Sequence, residues 1–374
     1  MHAQVAQQEP LAAASRRTVL AAAAAAAFLP RPAAAQRAAP AGGASAGIEW
    51  DHFKARFLTR EGRVIDNMNG DISHSEGQGF ALLLAVRFDD REAFTRILDW
   101  TRRNLSRPTD SLFAWCHRPG EPGGRPGDRN NATDGDLAIA WALTEASDRW
   151  GQPVLRAMAA ATARDILARM TVEVGGRPYL LPGSQGFLDH TTLTTNPSYY
   201  IYPAFQALRA VVPSPLWGQL EATGLRLARS ARFGRFGLTA DWVALPRDGS
   251  GLPGVARSQP ARFSYNACRV PLYLVWGGFG AEPMVEAAAK FWNNPSFRHM
   301  PAWTDLRTGM VSNYAADPGI AAIARLAAVH CGQRPPSRAP EPAVLPDAYY
   351  ASALRLLARL AAADIQGDII VAAR

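Results

Sequence analysis

Two stretches of this chain, residues 79–86 (Gly-Phe-Ala-Leu-Leu-Leu-Ala-Val) and 137–143 (Leu-Ala-Ile-Ala-Trp-Ala-Leu), are apolar on nearly every face for the length of a helix. A helix of that kind is stable only where other helices enclose it. Other segments are amphipathic: Phe94, Ile97 and Leu98 share a face, and Leu225 and Leu227 lie beside arginines. Buried and half-buried helices in one chain fit an inner ring of helices wrapped by an outer one. From Ile48 onward the periodicity predicts helices over about 49–60, 75–87, 90–104, 134–149, 153–170, 197–211, 215–231, 265–277, 282–292, 317–330 and 347–363. Strand signals are confined to Thr171–Val174 and Tyr179–Leu181, which flank Gly175-Gly176 and predict one small hairpin. Loops rich in Gly and Pro cover 118–130, 247–260 and 331–346, none of them a long interdomain linker, and no repeat of fixed period is visible. The expectation is a single all-α domain over 48–374.

Residues 1–47 stand apart. Ser15-Arg16-Arg17-Thr18-Val19-Leu20 runs into an alanine tract, Phe28-Leu29-Pro30 and then Ala33-Ala34-Ala35. Twin arginines, a short weakly apolar core and an Ala-x-Ala site predict a twin-arginine signal peptide over 1–35, followed by a flexible segment over 36–47. No stretch reaches the roughly 20 apolar residues a spanning helix needs. The mature chain is therefore expected to be periplasmic or secreted, with no membrane span after signal removal.

The chain of 374 residues is 48% hydrophobic and 19% charged, ordinary for a globular protein. Its net charge is +8, of which Arg16, Arg17 and Arg31 against Glu9 account for two units within the leader. The remaining excess is dispersed and almost wholly arginine, since Lys54 and Lys290 are the only lysines, so no nucleic-acid arm is expected. Cys116, Cys268 and Cys331 are too few for a disulfide scaffold, and no ligand-spaced Cys/His cluster predicts a metal or cofactor.

Chemistry is concentrated at helix starts. Ser73-His-Ser-Glu76-Gly-Gln-Gly-Phe80 places a carboxylate among small residues before the first apolar helix, and Ala132-Thr-Asp134-Gly-Asp136 opens the second. Each also fits a capping box, Ser73-x-x-Glu76 and Thr133-x-x-Asp136, in which the acid merely returns a hydrogen bond to the backbone. Together, beside glycines that leave room for a ligand, they place acids at one end of a helical barrel. Tyr265-Asn266-Ala-Cys-Arg269 and Asn196-Pro-Ser-Tyr199-Tyr add polar groups at two further starts. Trp115 and Trp242 are candidate platforms for sugar rings, or else core residues.

These runs, with Ala132–Leu143 the longest, resemble in order the motifs of glycoside hydrolase family 8, and most of all the endoglucanases of bacterial cellulose-synthesis operons. Glu61-Gly-Arg-Val-Ile-Asp66, Ile97-Leu-Asp-Trp100 and Asp241-Trp-Val243 share in the likeness, which runs from about Ile48 to Trp276. The resemblance implies an (α/α)6 barrel with an open cleft, inverting hydrolysis of internal β-1,4 bonds in a cellulose-like glucan, and a functional link to a cellulose synthase complex. It makes Glu76 the general acid and Asp134 the group that holds the distorted sugar at the cleavage point; Trp115, Tyr199, Trp242 and Arg269, beside these helix starts, are the expected substrate-binding residues.

One departure stands out. Where cellulases of the family carry Tyr-Asp-Ala-x-Arg, with the aspartate as catalytic base, this chain has Asn266, and an amide cannot take a proton from water near neutral pH. Asp241 and Asp189 are the candidate replacement bases. The amide also leaves open a lichenase, a chitosanase or a weakly active glucan-binding accessory protein.

Overall fold

The computed structural model describes residues 43–120, 127–336 and 346–372, so the predicted signal peptide lies outside the described residues. Among the described residues eleven α-helices carry the fold: α1 (Gly43–Phe57), α2 (Ser75–Arg87), α3 (Arg91–Leu105), α4 (Thr133–Trp150), α5 (Pro153–Arg169), α6 (Tyr202–Arg209), α7 (Pro215–Ser230), α8 (Arg269–Trp276), α9 (Pro283–Trp292), α10 (Pro318–His330) and α11 (Tyr349–Ala372). Helices α2, α4, α6, α8, α10 and α11 pack side by side in that order, and α11 closes back on α2. Around this inner ring, α3 covers α2, α5 covers α4, α7 covers α6, α9 covers α8 and α10, and α1 covers α11. The arrangement is the expected (α/α)6 barrel, with five outer helices among the described residues; the segment between α10 and α11 supplies none there.

The apolar stretches behave as their patterning requires. Residues 80–86 on α2 and 137–143 on α4 are all buried. Two glycines let these helices approach closely: a Cβ on Gly79 would lie 2.7 Å from the Ala138 methyl, and one on Gly135 would collide with Ser75 and the Glu76 amide. That approach draws the starts of α2 and α4 together. At the opposite end of the ring Arg87 joins Glu145 and Asp364, while Trp141 and Trp276 donate to the same two carboxylates at 2.8 and 2.9 Å. This buried network ties α2, α4, α8 and α11 together far from the helix starts.

Departures from expectation are local. Helix α1 begins at Gly43, inside the segment expected to be flexible, because Ala46 and Trp50 bury against the barrel. The helix expected over 197–211 splits into a 3-10 turn at Pro197–Tyr199 and α6, since Pro203 fits only the first turn of a new helix. Residues 265–268 form a turn that precedes α8.

The predicted hairpin is present as β3 (Thr171–Val174) paired antiparallel with β4 (Arg177–Leu180). Three further small sheets frame the helix starts: β1 (Ser73–His74) with β2 (Cys116–His117), β5 (Thr192–Thr195) with β6 (Val243–Pro246) and β7 (Gly254–Val255), and β8 (Arg262–Phe263) with β9 (Thr304–Asp305). Each is a short clamp on loops that lead into an inner helix. Among the described residues no helix is long and apolar enough to cross a membrane.

Candidate active site

The six inner helices present their N-termini to one end of the barrel, and the polar residues singled out from the sequence meet there. Neither capping box forms. His74 caps α2, with the Gly77 N–H donating to its Nδ1 at 3.0 Å, and Ser73 donates instead to the Val64 carbonyl. Thr133 donates to the Leu181 carbonyl, and Asp136 accepts from the Phe113 amide and Asn131 at 2.8 Å each. Glu76 is thereby left for another partner.

That partner is Arg269, which is 2% exposed at the start of α8. Its Nη1 donates to Glu76 Oε1 and lies 3.3 Å from Asp134 Oδ2, and its Nη2 donates to Asn266 Oδ1 at 3.0 Å. One guanidinium therefore joins the proposed acid, Asp134 and the residue at the usual base position. Asp134, also 2% exposed, accepts from the Gly135 amide at 2.9 Å. Burial pushes its pKa up to about 7, against the Gly135 amide, His74 and Tyr199, which favour the ionised form. One buried cation facing two carboxylates is neutral when a single proton stays on the pair, and desolvation favours that state. Because Oε1 faces the guanidinium, the free position for a proton on Glu76 is Oε2.

Asn266 is fixed on one side. Asn196 Oδ1 accepts from the Ser198 amide and hydroxyl, so its amine end must donate, and it does so to Asn266 Oδ1 at 3.1 Å. With Arg269 on the same oxygen, Asn266 offers a ligand its Nδ2, a donor.

The two candidate replacement bases are engaged elsewhere. Asp241 Oδ1 accepts from the backbone amides of Ser264, Asn266 and Ala267 at 3.0, 3.2 and 2.7 Å, and Oδ2 accepts from the Ser264 hydroxyl. This carboxylate, its pKa raised by burial, holds the turn that presents Asn266. Asp189 accepts from Thr191 and Thr192 in an exposed turn ahead of β5, at the end of that strand opposite Asn196, and those bonds lower its pKa.

Aromatic side chains flank the cluster. Trp115, whose carbonyl accepts from the Ser75 amide, donates from Nε1 to Asp128 at 2.7 Å and carries Arg118 over its ring. Trp242 stacks on Phe187 with ring centroids 5.5 Å apart and meets the edge of Tyr199. A second aromatic group adjoins Asn266: Tyr265 and Tyr314, 41% and 48% exposed, share a hydroxyl contact at 3.3 Å, and Trp303 donates to Tyr314 at 3.0 Å. Sequence reasoning missed Tyr314, Trp303, Phe187 and His74. Of these only His74 lies in a recognised motif; the other three sit in segments without periodicity.

The buried acids make stability pH-dependent. Asp136 is pushed up to about 8 by burial, as Asp134 is to about 7, both above the unfolded value near about 3.9. Between those limits the folded state holds protons that the unfolded chain has released, so stability falls as pH rises from about 4 to 8 and levels off above. The urea midpoint is expected to drop between pH 5 and pH 8. Asp134→Asn, which removes one of the titrations, should show a shallower drop; equal slopes would mean Asp134 stays ionised in the folded protein.

The comparisons agree with this geometry. The family model described as "Glycosyl hydrolases family 8" matches residues 21–364. The chain is 38% identical over 322 residues to a protein described as "Probable endoglucanase" from Novacetimonas hansenii, covering 84% of this chain and 90% of that one. It is 38% identical over 275 residues to an endoglucanase of Cellulomonas uda, covering 73% and 75% of the two chains. Among solved structures, the endo-beta-1,4-glucanase CMCax from Acetobacter xylinum superposes with a TM-score of 0.78 at 38% identity, covering 85% of this chain and 98% of that one. A fold of nested helix rings, carboxylates at the inner helix starts and these matches agree: the chain belongs to glycoside hydrolase family 8 and is a glycosidase.

Proposed function

We propose that this chain is an inverting endo-β-1,4-glucanase that turns over slowly because an amide stands at its base position. The observation that carries the reading is the Arg269-linked trio of Glu76, Asp134 and Asn266 at the mouth of the inner ring. The endoglucanase names of its relatives supply the substrate class.

In this reaction Glu76 Oε2 gives its proton to the leaving glycosidic oxygen as the bond to the anomeric carbon breaks, and water forms the new bond from the opposite face. Inverting pairs stand about 6.5–9.5 Å apart, with room for that water. Glu76 and Asp134 share a single guanidinium nitrogen, which is too close for that role, so Asp134 instead holds a sugar hydroxyl. Asn266 Nδ2 donates to the attacking water and orients it, and the water's proton leaves to solvent rather than to a side chain. Trp115, Tyr199, Trp242 and Arg269 bind the glucan, with Tyr265 and Tyr314 extending the cleft wall.

Export through the twin-arginine pathway to the periplasm or outside the cell, and a link to a cellulose synthase, complete the proposal. The leader motif and the likeness to the cellulose-operon enzymes support both.

The test is reducing-sugar release from carboxymethylcellulose, barley mixed-linkage glucan and chitosan, with proton NMR of the first-formed anomer. Early viscosity loss on carboxymethylcellulose and an initial α-anomer are expected. Preference for barley glucan or chitosan would move the chain to the second reading that Asn266 favours, a lichenase or chitosanase of the same fold.

A further inference from the structure

The geometry points to Arg262 as a specificity-determining residue: stacked on Trp303 beside Asn266, it takes an acidic substituent, a carboxylate or phosphate group, carried by the glucan chain. This rests on reading the protein as a glucanase whose cleft lies at Glu76, Asp134 and Asn266. Strand β8 carries Arg262 directly into the turn that presents Asn266; Phe263 is buried in the core, while Arg262 is half-buried on the other side of the strand. The Arg262 guanidinium lies 4.1 Å from the centroid of the Trp303 ring, which covers one of its faces. Trp303 is itself held, since its Nε1 donates to the Tyr314 hydroxyl at 3.0 Å. That hydroxyl meets the hydroxyl of Tyr265, the neighbour of Asn266, at 3.3 Å. One shelf therefore runs from the base position through two exposed phenols to a positioned cation.

The cation has donors to offer. A guanidinium holds five N–H groups in one plane, and stacking on an indole leaves that rim open. Among the described residues no group accepts a hydrogen bond from the Arg262 side chain. Its register partner is Asp305 on β9, which interacts with it electrostatically. Oδ1 of that carboxylate is taken by the Arg307 amide at 3.0 Å and by the Thr308 amide and hydroxyl at 2.8 and 2.9 Å. Two more arginines adjoin the same turn: Arg307 lies in it and is exposed, and Arg235 donates from Nη2 to the Gly309 carbonyl at 3.0 Å. Arg235, Arg262 and Arg307 thus stand against Asp305 on this wall of the cleft.

A neutral glucan presents only hydroxyls, which the phenols of Tyr265 and Tyr314 and the Asn266 amide already suit. A planar guanidinium rim matches instead the paired oxygens of a carboxylate or phosphate. The sugar units that reach it are those lying on the Asn266 side of the cleavage point.

The experiment titrates the full chain, by calorimetry, with carboxymethylcellulose and with uncharged hydroxyethylcellulose of matched length, comparing wild type, Arg262→Gln, Arg262→Lys and Arg91→Gln. Arg91 controls for diffuse attraction between a chain of net charge +8 and a polyanion. It too lies over a tryptophan, Trp150 at 5.8 Å, but at the end of the barrel opposite the inner helix starts. Arg262→Gln is expected to weaken carboxymethylcellulose binding about 2–5-fold, the worth of one exposed ion pair, and to leave hydroxyethylcellulose binding unchanged. Arg262→Lys, which keeps the charge and loses the planar fork, should fall between wild type and Arg262→Gln, and Arg91→Gln should match wild type. Sodium chloride at about 0.5 M should erase the difference between wild type and Arg262→Gln. Equal losses on both polymers would make Arg262 a contact for neutral sugar. No loss on either polymer, or the same loss in Arg91→Gln, would leave only diffuse attraction, and each of these outcomes overturns the inference. Reducing-sugar release is measured in parallel: its absence from both polymers overturns the glucanase reading, while the calorimetric comparison still decides the role of Arg262.

Discussion

Glu76→Gln is expected to lower kcat on soluble β-1,4-glucan by about 10²–10⁴-fold, the usual contribution of a general acid, while leaving KM within a few-fold of the wild type. The substitution is nearly isosteric, and the glutamine oxygen still accepts from Arg269 Nη1, so the link between α2 and α8 survives. The helix cap is untouched, because His74 and not Glu76 accepts the orphan amide of α2. What is removed is the transferable proton on Oε2 and one carboxylate facing the buried guanidinium. A folded protein with an unchanged thermal midpoint, near-normal glucan binding and almost no product is the predicted phenotype. A large fall in stability with little loss of specific activity would return Glu76 to a structural role.

The barrel was legible because burial on every face leaves few architectures: a helix such as 137–143 must sit inside other helices. The split of α6 and the late start of α8 were not, since both depend on turns closed by tertiary partners, Asn196 in one case and Asp241 in the other. At the site, Glu76, Asp134 and Arg269 were found as separate motif residues. Their joining through one guanidinium needed the close approach of α2 and α4 that Gly79 and Gly135 permit.

Asp241 illustrates the limit of motif reasoning. Its place in Asp241-Trp-Val marked it as a cleft acid, but three backbone amides and a hydroxyl bind it to the 264–267 turn. Tyr314 and Trp303 lay in a segment with neither helical nor strand period, where only the folded chain brings aromatic rings beside Asn266. His74 was passed over because sequence rules favour Ser73 as the cap, and the backbone instead turns helical one residue later.

Asn266→Asp is expected to raise kcat by about 10²-fold or more, the lower bound of what a general base contributes. The turn is already built for a carboxylate. Oδ1 of residue 266 receives Asn196 at 3.1 Å and Arg269 at 3.0 Å, and both donors suit an anion better than an amide. The second oxygen of an aspartate would take the place of Nδ2, turning the one free group from a donor into an acceptor for the attacking water's proton. Backbone placement is unaffected, because Asp241 holds the amide of residue 266 and not its side chain. The added charge also sits against Arg269, whose guanidinium contacts Glu76, Asp134 and Asn266. The variant's kcat should fall at acid pH as the new base takes up its proton, and Glu76→Gln placed on top of it should abolish the gain. Asp189→Ala, remote from the trio, should leave both the wild-type and the improved rates unchanged. A rate that stays level or falls in Asn266→Asp would mean that water is activated by a carboxylate outside the trio and that the site has been rebuilt around the amide.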